Sequence, residues 1–179
     1  GLCVRVLPDG GYEELWRERR SIDSQFNNTS SGVGTGIVTV SAGTLTLSGG
    51  GTSTGSFTGA AGTTLVFGGS PQTLTAASSI TGAGSVTVNG STVTIDGTYN
   101  LTGLTSATTL SSGIMNFGVG ATLTSVGASF TLTSGTANFG GHNVTLPTLT
   151  QSGGTLTGTG LVTVSGATTW TAGEMTSRP

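Results

Sequence analysis

The chain has 179 residues, a formal net charge of −2, and no lysine. Four of its five arginines lie at or before Arg20, and from Ser24 to Gly173 it carries one formally charged side chain, Asp96. Phosphate neutralisation needs several placed cations, so nucleic-acid binding by the body of the chain is excluded; no run of 18 apolar residues encodes a membrane span.

Residues 1–25 differ from everything after them. Nine of the twelve charges lie before residue 24, together with Cys3, Tyr12 and Trp16. Tyr12 to Arg20 could form two helical turns after an Asp9-Gly10-Gly11 turn, with Glu14 facing Glu18 and Glu13 facing Arg17. Such a segment reads as a linker or the remnant of a neighbouring region, or else as a Trp-bearing docking helix. Cys3 is the sole cysteine, which leaves no internal disulfide and no thiolate metal cluster. The chain starts at Gly1 and stops at Thr176-Ser177-Arg178-Pro179, ends that read as cut edges of something larger, so a missing signal peptide says little about localisation.

Residues 26–179 read as a repeat domain. Ile37-Val38-Thr39-Val40, Thr44-Leu45-Thr46-Leu47, Val86-Thr87-Val88, Thr92-Val93-Thr94-Ile95 and Leu161-Val162-Thr163-Val164 alternate apolar with hydroxyl residues. Period two with β-branched residues marks short, half-buried strands. Turns such as Ser48-Gly49-Gly50-Gly51, Asn89-Gly90 and Gly140-Gly141 separate them, and helical periodicity is missing.

Two motifs recur. An octapeptide appears as Gly34-Thr-Gly-Ile-Val-Thr-Val-Ser41, Gly82-Ala-Gly-Ser-Val-Thr-Val-Asn89 and Gly158-Thr-Gly-Leu-Val-Thr-Val-Ser165, at separations of 48 and 76. Phe67-Gly68, Phe117-Gly118 and Phe139-Gly140 each precede a leucine, at separations of 50 and 22. Both sets suggest multiples of a 22–25-residue unit, the mark of a solenoid. The expected fold is all-β: a parallel β-helix of about six coils, roughly 30 Å tall at about 4.8 Å per coil. Ile37, Leu45, Val86, Val88, Ile95, Leu123, Leu146, Leu156, Val162 and Val164 should form inward columns. Phe67, Phe117 and Phe139 should stack on one another, with Asn116 and Asn138 as a short amide ladder. An antiparallel β-sandwich or barrel is the alternative.

Asn27-Asn28-Thr29, Gly43-Thr-Leu-Thr-Leu-Ser-Gly49, Ser79 to Val88, and Gly154 to Val164 with Trp170 resemble the degenerate repeats of large bacterial surface proteins. These are the autotransporter passengers and filamentous haemagglutinin-like adhesins. The resemblance covers roughly residues 26–176 and holds at the level of class. It implies an extracellular or cell-surface right-handed β-helix, acting as a stalk or adhesive face toward a host or matrix glycan or protein. It carries over no catalytic residue and no cofactor.

Acid–base cleavage of polysaccharide, the chemistry of enzymatic β-helices, needs two poised carboxylates, and residues 24–173 offer only Asp96, which suits an Asp-Gly turn. His142 is the sole histidine and follows two glycines, so it reads as an exposed turn residue and not as part of a triad. No clustered ligands suggest a transition metal, and no Asp-bearing nonapeptide repeats suggest calcium. The Gly-x-Gly pairs precede strands, which excludes a dinucleotide fingerprint. The Asn-x-Ser/Thr triplets at Asn27, Asn28, Asn89, Asn100 and Asn143 matter only in a eukaryotic secretory host.

One pattern suggests a contact surface. Thr-Leu-Thr triplets place Thr73 and Thr75, Thr122 and Thr124, and Thr148 and Thr150 at roughly one-coil spacing, with Thr44 to Thr46, Thr98 to Asn100 and Thr169 to Thr171 continuing the series. Stacked, they would form a flat two-column face resembling the Thr-x-Thr arrays of β-helical ice-binding proteins. The plainer account is that threonine fills every outward β position; Thr92-Val-Thr94, Thr131-Leu-Thr133 and Thr155-Leu-Thr157 read as out of register. The expected role is therefore a non-catalytic stalk or contact segment, with ice binding and polysaccharide cleavage as alternatives. A last coil exposing Trp170 and Met175 should aggregate or polymerise end to end.

Overall fold

The structure, a computed structural model, describes residues 4–6, 12–14, 20–29 and 36–177. Among these residues there is no helix, and every strand pairing but one is parallel. The exception is an N-terminal hairpin of β1 (Val4–Val6) and β2 (Tyr12–Glu14). The helix expected from Tyr12 to Arg20 is thus replaced at both ends by strand, because β3 (Arg20–Ile22) pairs with the first coil. Residues 15–19, with Trp16, and Cys3 lie outside the described residues. The stack accordingly reaches back to Arg20 and does not begin at residue 26.

Seven coils follow, each crossing three faces in turn. The first holds β4 (Ile37–Val40), β5 (Thr44–Leu47) and β6 (Gly51–Ser53), and the second β7 (Ser56–Gly59), β8 (Thr64–Gly68) and β9 (Gln72–Leu74). In the third, β10 (Ser79–Gly82) precedes β11 (Ser85–Ile95), which bends across two faces. The fourth repeats this with β12 (Thr98–Leu101) and β13 (Ala107–Phe117). The fifth has β14 (Thr122–Val126), β15 (Ser129–Leu132) and β16 (Thr136–Asn138). The sixth has β17 (Val144–Leu146) and β18 (Leu149–Gly158), and the seventh β19 (Val162–Val164) and β20 (Thr168–Ser177). The parallel solenoid expected from the sequence is present; the antiparallel sandwich is not.

The coils are shorter than the recurring motifs suggested, and there are seven in place of six. On the second face Leu45, Leu65, Val86, Thr108, Phe130, Leu149 and Thr168 are successive register partners, in steps of 20, 21, 22, 22, 19 and 19. The octapeptides misled because they occupy different faces. Ile37–Val40 and Val162–Val164 lie on the first face, whereas Ser85 to Val88 lies on the second. A separation of 48 is two coils plus one face, not two longer coils.

Alternation along each strand turns one set of side chains into the core. Val38, Leu45, Leu47, Leu65, Val86, Val88, Ile95, Leu110, Leu132, Leu146 and Leu156 are all buried. Leu123, Val162 and Val164 pack against that core while partly buried. Ile37 departs from the expected inward set, because Val38 and Val40 take the inward positions of its strand. Phe117 and Phe139 stack at 5.5 Å and 19°, as expected. Phe67 stands in a different column and meets Phe57 edge-on at 6.2 Å. Asn138 Nδ2 donates to Asn116 Oδ1 at 2.7 Å, so the amide ladder forms.

The corner between the second and third faces is built on glycine. Gly90, Gly113, Gly135, Gly154 and Gly173 take φ of +84°, +90°, +82°, +69° and +96°. A Cβ on Gly135 would collide with the Gly113 backbone, and one on Gly154 with that of Gly135. Left-handed backbone and in-register stacking therefore each demand glycine here. Gly135→Ala should lower stability by about 3 kcal/mol or more, since it adds a backbone clash to the strain. Gly62→Ala, at φ +78° with open space around it, should cost about 1–2 kcal/mol. Urea midpoints measure both; equal losses would remove the crowding argument.

Candidate functional site

The third face turns back to the first at a corner that brings the two chemically distinctive side chains of the coils onto one line. Asp96 follows β11, and its carboxylate lies against Gly118 of the next coil. His142 follows Gly140-Gly141 one coil further on, and its Nε2 is 2.8 Å from the Gly118 carbonyl. The Gly118 backbone thus separates them, and neither is bonded to the other or to a serine side chain among the described residues. Both lie in turns, as their sequence context suggested, and both are half-buried; His142 departs from the exposed position expected of it because its ring bonds the Gly118 carbonyl. Among the described residues no three His, Cys, Asp or Glu side chains come together.

The hydroxyl columns do come together, but not as the triplets proposed. Thr73 lies on the third face between Thr52 and Thr94. Thr75 sits in the turn after β9, where its Oγ1 is buried without a partner. Thr122 is exposed on the first face, and Thr124 is the extra residue of a bulge, skipped between the Tyr99–Leu123 and Asn100–Ser125 pairs. Thr148 opens the second face and donates to the Ala128 carbonyl at 3.2 Å, while Thr150 is exposed on that face. The six threonines therefore occupy three faces and a turn, and do not form one surface. Taking the coil to be longer than it is moved each successive triplet onto the next face.

Correct register assembles other threonines. On the second face Thr87, Thr109, Thr131, Thr150 and Thr169 are consecutive partners through five coils. Ser85, Ala107 and Ser129 stand beside the first three of them, and that second column of small side chains runs back to Thr64 and Thr44 in the first two coils, where Val66 and Thr46 take the neighbouring positions. At about 4.8 Å between coils and about 7 Å across a strand, this is an uncharged lattice of hydroxyl and methyl groups. On the third face Thr52, Thr73, Thr94, Asn116, Asn138, Thr157 and Thr176 form one column. Thr92-Val-Thr94 and Thr155-Leu-Thr157, which looked out of register, both belong to that face. Its lower part floors an open groove of about 740 Å³ whose lining includes Val119, Asn138, Thr155, Thr157 and Glu174. Glu174 is the one carboxylate in that lining, and acid–base glycoside cleavage needs two.

Among the described residues, the titratable group held far from its ordinary behaviour is Tyr99. Burial pushes its phenol well above the usual range. Thr108 Oγ1 donates to the Val126 carbonyl at 2.8 Å, so Tyr99 Oη donates to Thr108 Oγ1 at 2.7 Å. The relay is sealed in the core and is structural. No helix among the described residues is long and apolar enough to cross a membrane. No family model matches the sequence, and neither a curated protein nor a solved structure matches it.

Thr108→Val, which strands the Tyr99 hydroxyl, should cost about 1–3 kcal/mol, and Tyr99→Phe about 1 kcal/mol. Because the folded state holds Tyr99 neutral, the unfolded chain releases this proton first as pH rises past the ordinary tyrosine value of about 10. Stability from this group is thus complete below that pH and declines above it. Tyr99→Phe should flatten the alkaline limb of stability against pH; an unchanged limb would contradict the assignment.

Proposed function

We propose that this solenoid is a rigid, non-catalytic contact or stalk segment of a secreted or cell-surface protein. The observation that supports it is the second face, an uncharged and regular array of threonine, serine and alanine carried on a continuous core. A surface of this kind offers hydroxyls and methyls at fixed spacing and no acid–base pair. The resemblance of the repeats to bacterial autotransporter passengers and filamentous haemagglutinin-like adhesins points the same way, toward a matrix or host glycan or protein as the partner.

The experiment is display of the chain on beads presented to arrayed glycans and purified matrix proteins. Binding should fall with the pair Thr109→Arg and Thr131→Arg, while circular dichroism stays unchanged. Binding that survives this pair would remove the second face from the reading. Turnover of any polysaccharide in the same panel would overturn the non-catalytic role.

A second reading is favoured by one observation, the five-coil threonine column with Ser85, Ala107 and Ser129 beside its first three members. Its two repeats are close to those of oxygen atoms on an ice crystal face, so ordered water could be the partner. Thermal hysteresis should then be lost with Thr109→Lys and Thr131→Lys and kept with Thr122→Lys, which lies on the first face. Absence of hysteresis in the unaltered chain would end this reading and leave the first intact.

A further inference from the structure

We infer that the groove on the third face binds an uncharged oligosaccharide, laid along the axis of the stack. This is a contact site separate from the second face, and it stands if the reading of that face fails. Its lining starts at the corner that carries Val119 and runs past Asn138, Thr155 and Thr157. These side chains point sideways from the coils, so the groove depends on neither end of the stack.

Glycine keeps the groove open. Val119 stands fully exposed at its corner, and Gly140, Gly141 and Gly158 line the same corner in the next two coils without side chains. Gly140 and Gly158 take φ of +56° and +149°, a backbone that accounts for the residue. Gly141 has no such account. Its φ is not positive, and a Cβ there would meet only Thr159 Oγ1, at 3.6 Å, an ordinary contact. The fold has room for a side chain at this exposed position; what a side chain would take away is space in the groove.

The floor offers hydroxyls with no competing partner. Thr136 and Thr155 are register partners, as are Asn138 and Thr157, and all four point outward. Neighbours stand about 4.8 Å apart between coils and about 7 Å apart along a strand. Among the described residues Thr136, Thr155 and Thr157 make no side-chain hydrogen bond, whereas the Asn138 amide is fixed by Asn116 and by Gly140 N. Each hydroxyl can donate and accept, which suits a polyol. A peptide would need an open strand edge or apolar pockets. The third-face strands from β9 to β18 are paired on both sides, and Val119 is the one large apolar side chain in the lining.

Charge narrows the class further. Glu174 is the single charged group in the lining, and among the described residues no lysine or arginine stands on the seven coils. A uronate or sulfated chain would meet a like charge with no cation to offset it. The volume of about 740 Å³ falls among small-ligand sites, about 300–1,000 Å³. From the Val119 corner to Glu174 the lining extends about 14 Å along the axis, the reach of a short oligosaccharide.

The test is calorimetric titration of the full chain with short chains of cellulose, mannan, xylan and chitin, and with oligogalacturonate as the charged counterpart. At least one neutral chain should bind and oligogalacturonate should not; no neutral ligand, or preference for the charged one, would overturn the proposal. Gly141→Trp should fill the groove and abolish binding, while Gly141→Ala keeps the urea midpoint of the unaltered chain. Thr155→Val with Thr157→Val tests the same floor without adding bulk, and should weaken binding about tenfold. Full affinity in both Gly141→Trp and the valine pair would overturn the site. Thr109→Arg with Thr131→Arg should leave titration unchanged; binding lost with that pair and kept in Gly141→Trp would place the glycan on the second face instead. Capture of a purified matrix protein at Gly141, with no glycan bound, would also overturn it.

Discussion

Everything in this stack depends on turning the chain sharply enough to return above itself once per coil. Each coil must hydrogen-bond to the one before at the spacing of adjacent strands, about 4.8 Å. That leaves no room at the corners for a Cβ directed at the preceding backbone. The column Gly90, Gly113, Gly135, Gly154 and Gly173 meets the demand at one corner. Other corners use hydroxyls: Thr63, Ser78 and Ser106 each donate from Oγ to a carbonyl three residues back, at 2.7 Å. The core columns, the aromatic pairs and the threonine faces are all consequences of keeping these corners in line.

The class of fold was legible because alternation, glycine turns and recurrence agree with one another. Most of the inward set followed from period two, and the Asn116–Asn138 ladder from two asparagines at one-coil spacing, each preceding a phenylalanine. Register was not legible. All three faces use the same apolar–hydroxyl alternation, so Val86-Thr87-Val88 on the second face looks like Val38-Thr39-Val40 on the first. The repeated octapeptide therefore marks strand chemistry and not position in the coil. A better ruler was present in the positive-φ glycines, whose spacings of 23, 22, 19 and 19 follow the coil directly. They were hidden among 33 glycines, most serving other turns.

The same degeneracy explains why the proposed threonine face dissolved while a different one formed. Thr75 and Thr124 sit where a turn and a bulge break alternation, events that period two alone does not locate. Thr87, Thr109, Thr131, Thr150 and Thr169 lie in uninterrupted strand segments, where pairing fixes them side by side. The helix expected near the N-terminus failed for a related reason. Charge pairs at helical spacing contribute a few tenths of a kcal/mol, less than the parallel edge of β5 offers to Arg20–Ile22.

The steps between register partners are unequal, running from 19 to 22 along the second-face column and from 18 to 25 on the first face. A stack of interchangeable rungs could fold with any strand one storey too high, and the energy would scarcely change. Unequal storeys work like the wards of a lock. A displaced strand would strain one corner loop and leave slack in the next, and Asn138 would meet a threonine in place of Asn116. Irregularity that looks like decay of a repeat is thus what allows so monotonous a sequence to have a single address for each strand.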